Sequence, residues 1–127
     1  MKKKLLCLAL AGVISMAAQA ADKVKVGFVS TLSGPGGILG VAIRDGFQLG
    51  IEHAGGKLGG LPVEVLIEDD QQKPDVAKQL AEKLVKRDKV DFMTGMVFQN
   101  ILQAAQATVL GAETYYVSPN TGPSDLA

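Results

Sequence analysis

Tryptophan is absent from this 127-residue sequence, cysteine occurs once, at Cys7, and histidine once, at His53. Each shortage excludes a class of function. One thiol can form neither a disulfide framework nor a thiolate zinc site. No G-x-S-x-G elbow is present, and His53 sits near the polar flank of an amphipathic stretch, where it reads as solvated and not as a catalytic base. With 13 basic and 13 acidic residues and no arginine-rich run, the chain lacks the basic footprint of a nucleic-acid binder. No apolar run reaches the about 20 residues that a membrane-spanning helix needs.

The start of the chain reads as an address. Lys2, Lys3 and Lys4 precede an apolar run from Leu5 to Ala18, and Ala18-Gln19-Ala20 is the small-x-small pattern that signal peptidase cleaves after. Residues 1–20 are therefore read as a signal peptide, cut between Ala20 and Ala21. A buried N-terminal core helix fits less well, because a lysine triplet abutting an uncharged run that ends in A-x-A is the composition of export. Cys7, at the start of the run and not after a small-residue cleavage box, argues against a lipoprotein. Removing the leader takes three lysines and the only cysteine with it, leaving 10 basic against 13 acidic residues. The remaining residues 21–127 suffice for one small domain.

Those residues alternate two periods. Val24 to Ser30 is β-branched and apolar and breaks at Ser33-Gly34-Pro35-Gly36-Gly37, which predicts a strand and a turn. Leu39, Ile43, Phe47, Ile51 and Ala54 then recur at helical spacing, with Arg44, Asp45, Gln48 and Glu52 opposite. Gly46 and Gly50, one turn apart, predict close approach of this helix to a sheet, and Gly55-Gly56 ends it. After Gly59-Gly60 comes a strand over Leu61 to Glu68. Pro74 opens a helix with Val76, Leu80, Leu84 and Val85 inward and Lys78, Glu82, Lys83 and Lys86 outward. A strand over Val90 to Gly95, a helix over Asn100 to Leu110 and a strand over Thr114 to Ser118 complete the pattern. Such alternation predicts right-handed crossovers and a three-layer, doubly wound α/β fold with a parallel sheet.

Sheets of this kind bind ligands beyond the carboxyl ends of their strands. The segments that matter are then Ser33–Gly37, Asp69–Gln72, Met96–Asn100 and Pro119–Gly122. Gln99 and Asn100 open the third helix, whose first N–H groups and dipole favour an anion such as a carboxylate. Taken singly, Asn100 is as well explained as a helix cap and Asn120 as a turn residue. A dinucleotide fingerprint is poorly matched: Leu39 stands at the third glycine place after Gly34 and Gly36, and Asp69 follows Gly34 by 35 residues, where about 20 is usual. Asp69 and Asp70 are adjacent on an extended segment, so their side chains point opposite ways and suit loop ordering better than metal or acid–base work. No catalytic residue, metal site or cofactor is expected.

Four stretches in order carry a family resemblance: Val26-Gly27-Phe28-Val29-Ser30-Thr31-Leu32-Ser33-Gly34-Pro35, Gly55-Gly56-Lys57-Leu58-Gly59-Gly60, Glu68-Asp69-Asp70-Gln71 with Lys73-Pro74, and Tyr116-Val117-Ser118-Pro119. Together they resemble the type I periplasmic binding proteins of ABC transporters, in the Leu/Ile/Val-binding branch. The resemblance implies a periplasmic, non-enzymatic protein, monomeric when complete, that closes two lobes over a solute and delivers it to permease subunits. It also implies that residues 21–127 are a partial N-terminal lobe, truncated before the second lobe. Relatives grip an amino acid's carboxylate with a hydroxyl after the third strand, a position that falls here on Gln99, flanked by Phe98 and Asn100. Further contacts after the fourth strand fall on Asn120, Thr121 and Gly122, beside Ser118, and the aromatic position of the first loop falls on Leu39. Gln99 in place of serine and Leu39 in place of an aromatic residue widen the implied ligand to other organic acids, aromatic carboxylates or an amide. A sensor lobe presenting ligand to a signalling partner and an exported doubly wound enzyme are the alternatives.

Overall fold

The computed structural model describes residues 22–122; residues 1–21, where the leader and the Ala20–Ala21 cleavage point are expected, and residues 123–127 lie outside them. In chain order the elements are β1 (Val24–Ser30), α1 (Gly37–His53), β2 (Lys57–Leu58), β3 (Leu61–Asp69), α2 (Pro74–Glu82), β4 (Phe92–Thr94), α3 (Gln99–Gly111) and β5 (Tyr115–Val117). They form one sheet in the order β2-β3-β1-β4-β5. Strand β1 is its spine, running parallel to β3 from Val24↔Val63 to Ser30↔Asp69 and parallel to β4 from Val26↔Phe92 to Phe28↔Thr94. Strand β5 continues the parallel ladder on β4.

Alternation along β1 builds the layers. Phe28 points to one face, where its ring meets Phe47 of α1 at 5.4 Å. Its neighbour Val29 points to the other face, into a buried cluster with Leu84, Met93, Ile101 and Val109. Helices α2 and α3 pack against each other on that second face. Burying each large apolar side chain of the cluster contributes about 1.5–3 kcal/mol, so this face holds most of the stability.

Several expected boundaries and contacts shift, each for a local reason. Strand β4 is shorter than Val90–Gly95. At its start the Val90 N–H is used by the Leu84 carbonyl, and at its end Gly95 turns to a φ of +106°. Any Cβ there would stand 2.7 Å from the Val29 carbonyl oxygen, so only glycine fits. Strand β5 stops at Val117, opposite Thr94 where β4 itself ends, and beyond it the Ser118 hydroxyl donates to the Thr121 carbonyl. The hairpin strand β2, antiparallel to β3 through Lys57↔Pro62 and Leu58↔Leu61, is not anticipated in the sequence because two residues carry no periodicity. On α2 the fully buried positions are Ala77 and Ala81, while Val76 and Leu80 are half-buried. Small side chains let this helix lie close to its neighbours. Lys83, expected outward, is half-buried between the carboxylates of Glu68 and Asp88. From Lys83 to Asp88 the chain widens into π-helical turns, which keep both Leu84 and Val85 in the core.

Gly46 and Gly50 do not approach the sheet. Both are exposed, and a Cβ on either would meet nothing within 4 Å. The close approach belongs to Gly40, where a Cβ would lie 1.9 Å from the Thr31 carbonyl oxygen. Gly37 and Gly40 are the buried residues of α1, while Ile43, Phe47 and Ile51 are half-buried and Ala54 is exposed.

Candidate functional site

From β1 the chain passes to β3 on one side and then crosses to β4 on the other, so the order reverses beside β1. A crevice opens at such a switch point, beyond the carboxyl ends of the strands. Three loops meet there at Gly36. A Cβ on Gly36 would lie 2.8 Å from the Phe98 ring and 3.0 Å from Gln72 Oε1, so the missing side chain lets the loops after β1, β3 and β4 share one rim.

Two carboxylates set the loop after β3. Asp69 Oδ1 accepts the N–H groups of Leu32 (2.9 Å) and Gln71 (2.8 Å), which ties the ends of β1 and β3 together. Partial burial works to raise its pKa, but hydrogen bonds from Ser33, Leu32 and Gln71 outweigh that and hold it below the ordinary 3.8. Asp70 is fully buried and accepts Thr31 Oγ1 at 2.6 Å and the Gln72 N–H at 2.8 Å. Its other oxygen, Oδ2, is buried without a partner, and burial pushes the carboxyl above the ordinary value. The loop-ordering role expected for this pair is what these bonds show.

The opposite shifts have opposite signs in stability. A raised folded-state pKa at Asp70 means that the native chain binds its proton more readily than the unfolded chain. Wild type is therefore expected to gain stability relative to Asp70→Asn as pH falls from neutral towards 3.8, the unfolded carboxyl value. Urea midpoints of both proteins across that range check it, and a constant difference counts against it.

Helix α3 opens at the same rim. Phe98 is its N-cap, in extended conformation, and no side chain caps the first turn. Gln99 and Asn100 are its first two residues and both are exposed, so Asn100 does not serve as the cap. Leu102 bonds back to the Phe98 carbonyl at 3.1 Å, which leaves the N–H groups before it directed outward from the helix end. The loop after β5 is pinned beside it. Asn120 Nδ2 donates to the Val97 carbonyl at 2.8 Å, and Ser118 Oγ donates to the Thr121 carbonyl. Tyr116, on β5, is half-buried, and burial pushes its phenol to about 12.

The expected residues are thus placed as follows. Phe98, Gln99 and Asn100 lie together at the start of α3, with Ser118, Asn120 and Thr121 on the loop that Asn120 ties to them. Leu39, 51% exposed, stands in the first turn of α1 beyond β1. Gly122 is exposed at the end of the described residues. Gln72 and Gly36 lie in the expected strand-end segments Asp69–Gln72 and Ser33–Gly37 but were not among the expected ligand contacts. The signal was available at Gln72, since Asp-Asp-Gln-Gln ahead of Lys-Pro is the composition of a turn fixed by two side-chain carboxylates. Among the described residues, no group of three or more His, Asp or Glu is placed to hold a metal ion. A small apolar cavity of about 30 Å³ lies elsewhere, between α3 and β5, lined by Leu102, Gln106, Val109, Leu110 and Tyr116.

Comparison with known proteins agrees with this fold. A family model described as periplasmic binding protein matches residues 23–127. The Leu/Ile/Val-binding protein homolog 6 of Brucella abortus (strain 2308) is 38% identical over 99 residues, covering 76% of this chain and 25% of that protein. The chain thus spans about a quarter of the length of the curated relatives it matches. Among solved structures, the branched-chain amino acid transporter substrate-binding protein LivJ of Streptococcus pneumoniae, in complex with isoleucine, superposes with a TM-score of 0.76 at 27% identity, over 82% of this chain and 30% of that one. A solute-binding protein of an ABC transporter from Rhodopseudomonas palustris BisB5, in complex with 3,4-dihydroxybenzoic acid, superposes at 0.78 with 28% identity, over 83% and 29%. These relatives are binding proteins and not enzymes, and the doubly wound arrangement of the described residues is theirs. The chain belongs to the periplasmic binding protein family, in its type I branch of ABC-transporter solute-binding proteins.

Proposed function

We propose that this chain is the ligand-gripping part of the first lobe of an exported solute-binding protein, which captures a small carboxylate and delivers it to an ABC permease. The observation that carries the reading is the uncapped start of α3, opening where the loops after β1, β3 and β4 meet at Gly36. A buried carboxylate needs several charge-assisted hydrogen bonds to offset its lost hydration. The first N–H groups of α3, the Gln99 and Asn100 side chains and the loop bearing Asn120, Thr121 and Gly122 supply candidates from two strand ends. Leu39 and Phe98 add apolar surface for the body of the ligand. A second lobe closes over this rim in the proposed complete protein, as a family member of this type requires.

Calorimetric titration of the protein expressed from its complete reading frame, with isoleucine, benzoate and 3,4-dihydroxybenzoate, tests the reading. Binding of at least one acid in the micromolar range or tighter is expected, and binding of none removes it. Intact-mass measurement of the exported product is expected to place the N-terminus at Ala21 or Asp22. Retention of residues 1–20 would contradict the export reading.

A further inference from the structure

We propose that Gln72 reads a polar group at the end of the ligand far from its carboxylate, so that the site selects acids carrying a second hydrogen-bonding substituent. This rests on the carboxylate-binding reading above. Gln71 and Gln72 both have left-handed backbones, with φ of 54° and 57°, a conformation that costs a non-glycine residue on the order of 1 kcal/mol or more. Two carboxylates hold the pair there. One of them, Asp70, is fully buried with an oxygen left unpartnered, which is itself unfavourable.

Starting α2 does not require this arrangement. Lys73 is extended and Pro74 occupies the first helical turn, which already directs the chain into the helix. What the strained pair achieves is direction. Gln71 turns its carboxamide back to Lys73 Nζ at 3.1 Å. Gln72 instead reaches across to Gly36, whose other neighbour there is the Phe98 ring, and among the described residues its carboxamide bonds to no protein group. A neutral group that both donates and accepts is therefore left free at the rim.

Its position sets the kind of ligand. Strands β3 and β4 flank β1 on opposite sides, so their ends are roughly 10 Å apart, two strand spacings. Leaning over Gly36 brings the Gln72 carboxamide about one spacing closer to the start of α3. An α-amino acid carries its ammonium one carbon from its carboxylate and is too short to touch both places with those two groups. A ring acid with a hydroxyl remote from its carboxylate spans them, with its ring lying against Phe98.

The test is calorimetric titration of the protein from the complete reading frame with 3,4-dihydroxybenzoate, benzoate and isoleucine. Wild type is expected to bind the dihydroxy acid at least about tenfold more tightly than benzoate, the discrimination one good hydrogen bond gives. Gln72→Leu keeps the bulk and the left-handed backbone and is expected to abolish that preference while leaving benzoate affinity unchanged within about twofold. Gln72→Gly, which adopts this backbone freely, should lose the preference in the same way and covers the case in which the leucine variant fails to fold. Equal affinity of wild type for the two aromatic acids overturns the inference, as does equal weakening of both by either variant. Binding of isoleucine alone also overturns it but leaves the solute-binding reading standing; binding of none of the three removes both.

Discussion

Gly40→Ala is expected to lower stability by about 3 kcal/mol or more, at the upper end of overpacking substitutions. The added Cβ would stand 1.9 Å from the Thr31 carbonyl oxygen, 2.7 Å from the Thr31 carbonyl carbon and 2.8 Å from Ser30 Oγ. The nearest obstacle is backbone at the end of the central strand, held by the ladder to β3 and by the bond from Thr31 to Asp70. It cannot move aside as a side-chain tip can, so α1 must lift from the sheet. Gly46→Ala and Gly50→Ala, on the exposed face of the same helix, should each raise stability by about 0.5–1 kcal/mol, because alanine gains helix propensity and meets no neighbour. Urea midpoints of the three variants, made in the protein from the complete reading frame, measure all of this. A Gly40→Ala protein within about 1 kcal/mol of wild type would show that α1 does not rest on β1 as described.

That contrast marks how far the sequence could be read. The β-branched, apolar run of Val24–Ser30, the helical spacing of Ile43, Phe47 and Ile51, and Pro74 at the head of α2 are local signals, and each produced its element. Which glycine of α1 touches the sheet is not local. Gly40, Gly46 and Gly50 all sit among apolar helical positions, and only the crossing of α1 over the end of β1 decides between them. On α2 the same limit appears as Ala77 and Ala81 taking the deepest positions from the larger Val76 and Leu80. Packing distance, which periodicity does not contain, selects the small residue.

At the rim the legible part was the set of loops and the illegible part was the employment of each side chain. From sequence, Asn100 was as well explained as a helix cap, and Asn120 as a turn residue, as either was as a ligand contact. The structure gives the cap position to Phe98, and Asn120, which lies in a bend of the chain, also tethers it to Val97. For Gln72 the composition of its neighbours marks a turn fixed by two carboxylates, but the left-handed pair of residues that sends its side chain across to Gly36 appears only in the fold.

Asn120→Ala is expected to weaken binding of whichever acid the titrations identify by at least about tenfold, and to lower stability by about 1–3 kcal/mol at the same time. The bond it removes, Nδ2 to the Val97 carbonyl at 2.8 Å, joins the loop after β5 to the residue that precedes the start of α3 by two positions. Val97 is 2% exposed, so the orphaned carbonyl has little access to water and its desolvation is not recovered. The freed loop then no longer presents its donors beside α3, and pre-organisation is lost along with the contact. Thr121→Ala separates the two effects. Ser118 bonds the Thr121 carbonyl and not its hydroxyl, so this variant keeps the loop tied and should lose affinity about tenfold with little change in stability. Titration calorimetry and urea unfolding of the two variants, side by side, measure both quantities. Unchanged affinity in both would move the ligand off this rim, whereas a loss confined to Asn120→Ala would assign that residue to holding the loop and leave the ligand contacts to the start of α3.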